Sequence, residues 1–322
     1  MTILSLFSAT MNLWEIEDFS TQILGGILAD SEKYYRSFQL PKRKGGMREI
    51  NSPYPVLAQI QQALTKYLRD QCFVSEHAYA YCRGRNAVMH ATSHLGCDEL
   101  LTVDIHDFFG SITRQQIHQS LLKNSIDASY SHIISVLATR KGILPQGAPT
   151  SPLLSNIVFS PLDLRFSRLA IKLGINYSRY ADDLAFSGPR IPRNLPKLVE
   201  KILSEKNYKL NPQKTTLKIK GAKKIITGVS ISGGTPKPPR KFVRSVRAEV
   251  YQVEKNINKL SSLSTIDPLS YERVLGKLNY WLQIEPHNKY ALDKKNLISE
   301  AHQNFLNLSS SFDRNEYLQQ LI

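Results

Sequence analysis

The sequence predicts an α+β protein: short strands set among helices, followed by a separate helical lobe. Three observations carry that expectation. Residues alternate with period two over 100–105, where Leu101, Val103 and Ile105 face one way and Leu100, Thr102 and Asp104 the other. Two further β-rich segments, 175–180 and 184–187, flank an acidic turn. Beyond a cluster of Gly233, Gly234, Pro236, Pro238 and Pro239, the residues Val243, Val246, Val250, Val253, Ile257 and Leu260 are spaced by three and four, as in a long amphipathic helix.

Length and composition bound the reading. At 322 residues the chain corresponds to about two domains. A hydrophobic content of 42% excludes intrinsic disorder, and no run of about 20 apolar residues could span a bilayer. Lys and Arg number 42 against 27 Asp and Glu, a net charge of +15 that points to a polyanionic partner, nucleic acid first. The first 32 residues contain no Lys or Arg, so the apolar start lacks the basic region of a secretory signal, and a cytoplasmic location is expected. Cys72, Cys82 and Cys97 are odd in number and lack CxxC spacing, which argues against a disulfide framework or a zinc ribbon. His90 and His94 would share a helix face beside Cys97, but no further ligand completes a tetrahedral set, so core residues are the expectation there.

Taken in order, a nearly uncharged helical start precedes the basic turn Pro41-Lys42-Arg43-Lys44-Gly45-Gly46-Met47-Arg48, set between extended segments. Pro53 and Pro55 open a helix carrying Leu57, Ile60, Leu64 and Leu68. The strand at 100–105 presents the Asp104 carboxylate. Thr113 and Gln116 form a capping box for a helix with Ile117 and Leu121. Another helix begins at Ser151-Pro152 and carries Leu154, Ile157, Val158 and Leu162, with a bend expected at Pro161. The segments 175–180 and 184–187 read as a hairpin with Ala181, Asp182 and Asp183 at its tip, and 216–219 with 224–231 as a second hairpin around Gly221. The Gly and Pro cluster at 233–239 then reads as the linker to the last lobe.

One carboxylate on a strand and two adjacent carboxylates at a hairpin tip form a pocket suited to two divalent cations. Two ions about 3.5–4 Å apart activate an attacking hydroxyl and stabilise a leaving pyrophosphate. Mg²⁺ fits such a set, because it accepts a few carboxylates and completes its shell with water and phosphate oxygens.

The same residues resemble a reverse transcriptase over roughly residues 40–235. Tyr180-Ala181-Asp182-Asp183 is similar to the family's Tyr-x-Asp-Asp box. Val103-Asp104-Ile105-His106-Asp107-Phe108-Phe109 resembles its first palm motif, and Leu144-Pro145-Gln146-Gly147-Ala148-Pro149-Thr150-Ser151-Pro152 the loop and helix between them. Within that family the nearest resemblance is to bacterial retron enzymes. Asn86-Ala87-Val88-Met89-His90 matches their Asn-Ala-x-x-His element, and Ile226-Thr227-Gly228 stands, with Ile for Val, where their Val-Thr-Gly element is expected.

The resemblance implies a right-hand polymerase: an N-terminal helical extension (1–35), fingers and palm (36–235) with an antiparallel sheet flanked by helices, and a C-terminal helical thumb (240–322). It implies that Asp104, Asp182 and Asp183 are catalytic and hold two Mg²⁺ ions with the backbone carbonyl of Ile105, Mn²⁺ being a substitute. It places Phe109 under the incoming sugar, Arg48 on the triphosphate with Lys42 or Lys44 as companions, Gln146 on the opposite side of the nucleotide and Lys214 near the pyrophosphate, with Lys209 competing for that role. Arg240, Lys241, Arg244 and Arg247 would line the RNA or the template–primer duplex through phosphate contacts. The implied partners are deoxynucleoside triphosphates, a cognate structured noncoding RNA and its single-stranded DNA product, with no membrane. The RNA–DNA product would be branched, primed from a guanosine 2′-OH, and the setting an antiphage system with room for a separately encoded effector protein. A reverse transcriptase of another bacterial lineage and a noncatalytic RNA-binding protein on the same fold remain the alternatives.

Overall fold

The computed structural model describes residues 2–16, 19–42, 45–257, 267 and 269–310. These form two compact units, Met1–Ala222 and Lys223–Ile322.

In the first unit, helices α1 (Ile3–Thr10) and α2 (Thr21–Ala29) start at Thr2 and Ser20, whose side chains accept backbone N–H bonds at the helix starts. The sequence assigns no function to the first ten residues, yet Phe7 is fully buried there and meets the Tyr130 ring edge-on at 5.3 Å. Strands β1 (Tyr35–Pro41) and β2 (Met47–Pro53) pair antiparallel around the basic glycine turn, with Leu40 opposite Arg48. Lys44 lies outside the described residues. Helix α3 (Pro55–Gln71) buries Leu57, Ile60, Leu64 and Leu68 completely, as their spacing predicts. Pro53 closes β2, and Pro55 opens the helix, where its missing N–H costs nothing.

After α4 (Ala87–Thr92) comes β3 (Glu99–His106), the centre of the sheet. Helix α5 (Arg114–Lys123) begins with both halves of the Thr113/Gln116 capping box formed. Helices α6 (Ala128–Leu137) and α7 (Ser151–Lys172) follow, and α7 runs through Pro161 as one helix. Strands β4 (Asn176–Tyr180) and β5 (Asp183–Gly188) form the expected hairpin, followed by α8 (Leu195–Ser204), β6 (Lys209–Leu210) and β7 (Thr216–Lys218). The sheet is antiparallel throughout, in the order β4-β5-β3, with β6 and β7 both on the far edge of β3. Both faces of β3 are covered: Leu100, Leu101, Val103, Asp104 and Ile105 are all buried. A strand this enclosed can carry a carboxylate only if that carboxylate has partners.

The second hairpin differs from expectation. Residues 216–218 pair with β3, Thr102 opposite Thr216 with their hydroxyls 2.9 Å apart. Gly221 does turn the chain, at φ +83°, but it precedes a different pairing. Strands β8 (Ile225–Ile226) and β9 (Val229–Ser230) pair with each other around Thr227 and Gly228. The division between the units also falls earlier than the Gly and Pro cluster. That cluster is tied to β9: Ser230 and Lys237 exchange backbone N–H···O=C bonds of 2.8 and 3.0 Å.

The rest of the second unit is helical: α9 (Arg240–Ile257), α10 (Leu269–Ile284) and α11 (Lys289–Ser310). Its core is its own, built from Val246, Val250, Val253, Tyr271, Val274, Leu278, Trp281, Ala291 and Ile298. Leu260 of the predicted stripe lies outside the described residues. Among the described residues no helix is long and apolar enough to cross a membrane.

Candidate active site

The register of the sheet brings three carboxylates to one end. Asp104 on β3 lies directly opposite Asp183 on β5, and the Ile105 N–H donates to the Asp182 carbonyl at 3.0 Å. The β4–β5 turn is only Ala181-Asp182, since Tyr180 already pairs with Asp183. Such a tight turn requires a left-handed residue, and Ala181 supplies it at φ +56°.

Asp104 is 5% exposed, and its partner is Lys214, whose ammonium donates to Oδ2 at 2.6 Å. The Asn211 N–H donates to the Asp104 carbonyl at 2.8 Å, and the N–H groups of Lys214 and Thr215 both donate back to Asn211. This loop returns Lys214 onto the carboxylate. Lys209, the competing lysine, stands opposite His106 on β6.

Electrostatics mark the same spot. Burial, and then the charge of Asp104, raise the Asp182 carboxyl above its ordinary value, with Lys214 and Arg48 opposing. Burial, followed by the charges of Asp182 and Asp104, pushes Asp183 up to about 7. The salt bridge to Asp104 raises Lys214. Among the described residues no group of three or more His, Cys, Asp and Glu side chains forms a ready-made metal cage. A set of mutually repelling carboxylates with one lysine as counter-ion nonetheless fits Mg²⁺, which takes one or two carboxylates and leaves its other positions to water and phosphate.

The other predicted residues fall into place unevenly. Arg48 on β2 exerts its charge on Asp182. Gln146 is half-buried, and its carbonyl accepts the Asn51 N–H at 2.7 Å. Gly147, at φ +112°, presses so closely on β2 that an added Cβ would lie 2.9 Å from Ile50 Cγ2 and 3.1 Å from the Asn51 carbonyl oxygen. Phe108 is a core residue, whereas Phe109 is only partly buried, with ring centroids 5.7 Å from Phe108 and 6.3 Å from Tyr81. Arg240, Lys241, Arg244 and Arg247 are all exposed or half-exposed on α9, and Arg247 sits 4.8 Å over the Tyr290 ring.

Both halves of the retron-type motif have structural jobs. The Asn86 side chain accepts the Met89 N–H at 2.9 Å, capping α4, and His90 is fully buried between the rings of Tyr79 (5.4 Å) and Tyr180 (5.7 Å). His94 does not share the helix with His90: α4 ends at Thr92, and His94 instead bonds Ser187 and Ser178 through its two ring nitrogens, each at 2.6 Å. Thr227 and Gly228, at φ +45° and +83°, are the two central residues of the β8–β9 turn.

Sequence reasoning missed the support beneath the acidic turn. Arg179 and Asp163, both fully buried, form a two-pronged ion pair of 2.8 and 2.7 Å, and Tyr177 donates to the same carboxylate at 2.7 Å. A third Arg179 nitrogen donates to the Ala181 carbonyl at 3.1 Å. The available signal was an Asp at helical spacing from Phe159 and Phe166 in α7, which on a buried face needs a cation in reach. Tyr81 was missed as well.

Comparison with known proteins identifies the family. Residues 40–246 match the family described as reverse transcriptase (RNA-dependent DNA polymerase). The chain is 31% identical over 261 residues to the retron Mx162 reverse transcriptase of Myxococcus xanthus, covering 70% of this chain and 54% of that one. It is 25% identical over 272 residues to the retron Ec86 reverse transcriptase of Escherichia coli, covering 80% and 84%. The chain thus spans about half the length of the Myxococcus relative. Among solved structures, telomerase from Candida albicans, determined with a fragment of telomeric RNA, superposes with a TM-score of 0.50 at 11% identity, covering 89% of this chain and 65% of that one. That likeness concerns the fold alone. With a family match over residues 40–246, which include Asp104, Asp182 and Asp183, the chain belongs to the reverse transcriptase family, and retron enzymes are among its relatives.

Proposed function

We propose that the chain is a retron-type RNA-directed DNA polymerase, which copies part of a structured noncoding RNA into single-stranded DNA. The observation that carries the reading is Asp104 facing Asp183 across β3 and β5, with Asp182 at the adjoining turn. The reaction is attack of a primer hydroxyl on the α-phosphate of a deoxynucleoside triphosphate, with pyrophosphate leaving. Positioning and charge stabilisation supply most of the rate in such transfers, so no nucleophilic side chain is required.

Asp104, Asp182, Asp183 and the Ile105 carbonyl would hold two Mg²⁺ ions, with Mn²⁺ as a substitute; bound there, the ions supply activation of the hydroxyl and neutralisation of the leaving group. Arg48 brings a guanidinium fork to the triphosphate, matching phosphate oxygens in pairs. Lys214 is held on Asp104 and can give its charge to the pyrophosphate once that carboxylate has another cation. Phe109 offers a ring under the sugar, where a ribose 2′-OH would clash, and Gln146 approaches the nucleotide from the loop before α7. Arg240, Lys241, Arg244 and Arg247 serve the RNA or the duplex through phosphates, and the helical region 240–322 acts as the thumb.

The retron reading adds priming from the 2′-OH of an internal guanosine in the cognate RNA, a cytoplasmic site of action, and a defence role with a separately encoded effector protein. Its support is the retron relatives together with the Asn86, His90, Thr227 and Gly228 motif positions. The test is to express the chain with and without its neighbouring noncoding RNA and to sequence the nucleic acid that copurifies. A branched RNA–DNA molecule made by the wild type, and absent from an Asp182→Asn, Asp183→Asn variant, is the expected result. DNA copies without a branch would favour another reverse transcriptase lineage, and RNA alone would favour a noncatalytic binding protein.

A further inference from the structure

Tyr81 combines three properties that the fold alone does not require. It is a large aromatic residue left 50% exposed, its backbone is left-handed at φ +62°, and its ring stands 6.3 Å from that of Phe109. A non-glycine residue in that region is strained by its own Cβ, and such strain persists only where neighbouring structure imposes it. Here the neighbours are identifiable. The Tyr79 N–H donates to the Arg179 carbonyl at 2.8 Å, and the Asn156 amide donates to the Ala80 carbonyl at 2.8 Å. On the other side Arg85 binds the carbonyls of Ser75 and Ala78 at 3.0 and 2.7 Å. Ala78 and Ala80 are buried, so the loop leading to Tyr81 is fixed while Tyr81 itself projects from it.

The direction of that projection is also visible. Burial raises the Tyr81 hydroxyl above its ordinary value, and the Asp182 carboxylate adds to this, with Arg48 and Arg179 opposing. The ring meets that of Phe109, which lies five residues beyond Asp104, just past the end of β3. Two rings 6.3 Å apart with planes inclined by 51° form one apolar wall.

We infer that Tyr81 is a nucleotide-positioning residue, its ring forming with Phe109 the aromatic wall against which the incoming deoxynucleoside packs. This rests on the polymerase reading above. Every base presents a π-face to such a wall, so the contact is blind to base identity. It holds the nucleoside while Arg48 holds the phosphates, and it contributes to binding more than to the chemical step.

The test is steady-state primer extension on an RNA template with Tyr81→Phe, Tyr81→Ala and Tyr81→Gly, alongside thermal unfolding of each variant. Tyr81→Phe keeps the ring and is expected to leave KM for each deoxynucleotide within about twofold of wild type. Both small variants lack the ring and are expected to raise KM about tenfold for all four deoxynucleotides, with kcat changed less than about threefold, in keeping with the strength of base–aromatic stacking. Tyr81→Gly relieves the left-handed backbone and is expected to melt above Tyr81→Ala while sharing its KM. If KM instead follows stability, so that the Gly variant binds like wild type, the ring is not the determinant. An unchanged KM in both small variants, or a Phe variant as impaired as Ala, also overturns the inference. Failure of the wild type to extend any primer removes the polymerase reading itself, and the Tyr81 inference with it; an active wild type with unaffected Tyr81 variants removes only the latter.

Discussion

Asp163 and Arg179 are the pair of side chains on which the acidic turn rests, because the same guanidinium that binds the carboxylate also holds the Ala181 carbonyl. The Arg179 guanidinium further lies 4.6 Å over the Phe159 ring. Removing one charge from a fully buried pair leaves the other uncompensated, which costs about 3–5 kcal/mol. Asp163→Asn should therefore lower the unfolding free energy by about that amount in urea denaturation. Two buried histidines make a separate prediction. Burial pulls His90 down to about 3 and His94 down to about 4, so both are neutral in the folded protein. Once unfolded, each titrates near 6.5, and below that pH the unfolded chain binds more protons than the folded one. Their stabilising contribution is complete above pH about 6.5 and is lost as pH falls, toward 4 for His94 and toward 3 for His90. At pH 5 His94 alone should account for about 2 kcal/mol, and His94→Gln should flatten the stability profile between pH 7 and pH 5.

Among the elements, the acidic hairpin and the central strand are the ones whose chemistry the sequence announces. Alternation over 100–105 and an Asp pair between two short β segments are local signals, and both survive in the structure as β3 and the β4–β5 turn. The helices are legible for the same reason: Leu57, Ile60, Leu64 and Leu68 repeat at the period of the helix that buries them. What is not legible is pairing between distant strands. Residues 216–218 make too short a strand to fix its own partner, and the left-handed Gly221 nearby mimics a hairpin tip. Only the tertiary structure, in which Leu217 opposes Leu101, decides the matter. The true hairpin turns at Thr227 and Gly228, which provide the two left-handed residues it demands. Gly228→Ala should destabilise the second unit by about 1–2 kcal/mol in thermal unfolding, the cost of a Cβ in that conformation. Tyr81 was hidden for a similar reason. Its conformation is imposed by Asn156 on α7, by Arg179 on β4 and by Arg85, none of which a local reading connects to it.

For the whole molecule, the excess of positive charge is concentrated rather than spread. Residues 214–255 hold 11 Lys or Arg against two Glu, from the lysine on Asp104 through the first helix of the second unit. Arg240, Lys241, Arg244 and Arg247 all reach solvent, so their charges are available to a phosphate backbone. Neutralising all four should weaken binding to an RNA stem–loop and make its dependence on log salt shallower by roughly three to four, about one unit for each phosphate no longer neutralised. Filter binding across a salt series reads this directly, and an unchanged slope would detach these residues from nucleic acid. Whether the three carboxylates are a polymerase centre comes down to one experiment: extension of a primer on an RNA template by purified protein with deoxynucleotides and Mg²⁺, wild type against Asp182→Asn, Asp183→Asn. The wild type is expected to extend the primer, and the variant to be slower by roughly a thousandfold or more, the several kcal/mol that a metal-binding carboxylate pair supplies. Equal extension by the two proteins, or none by a wild type that still binds RNA, would contradict the assignment of Asp104, Asp182 and Asp183 to catalysis.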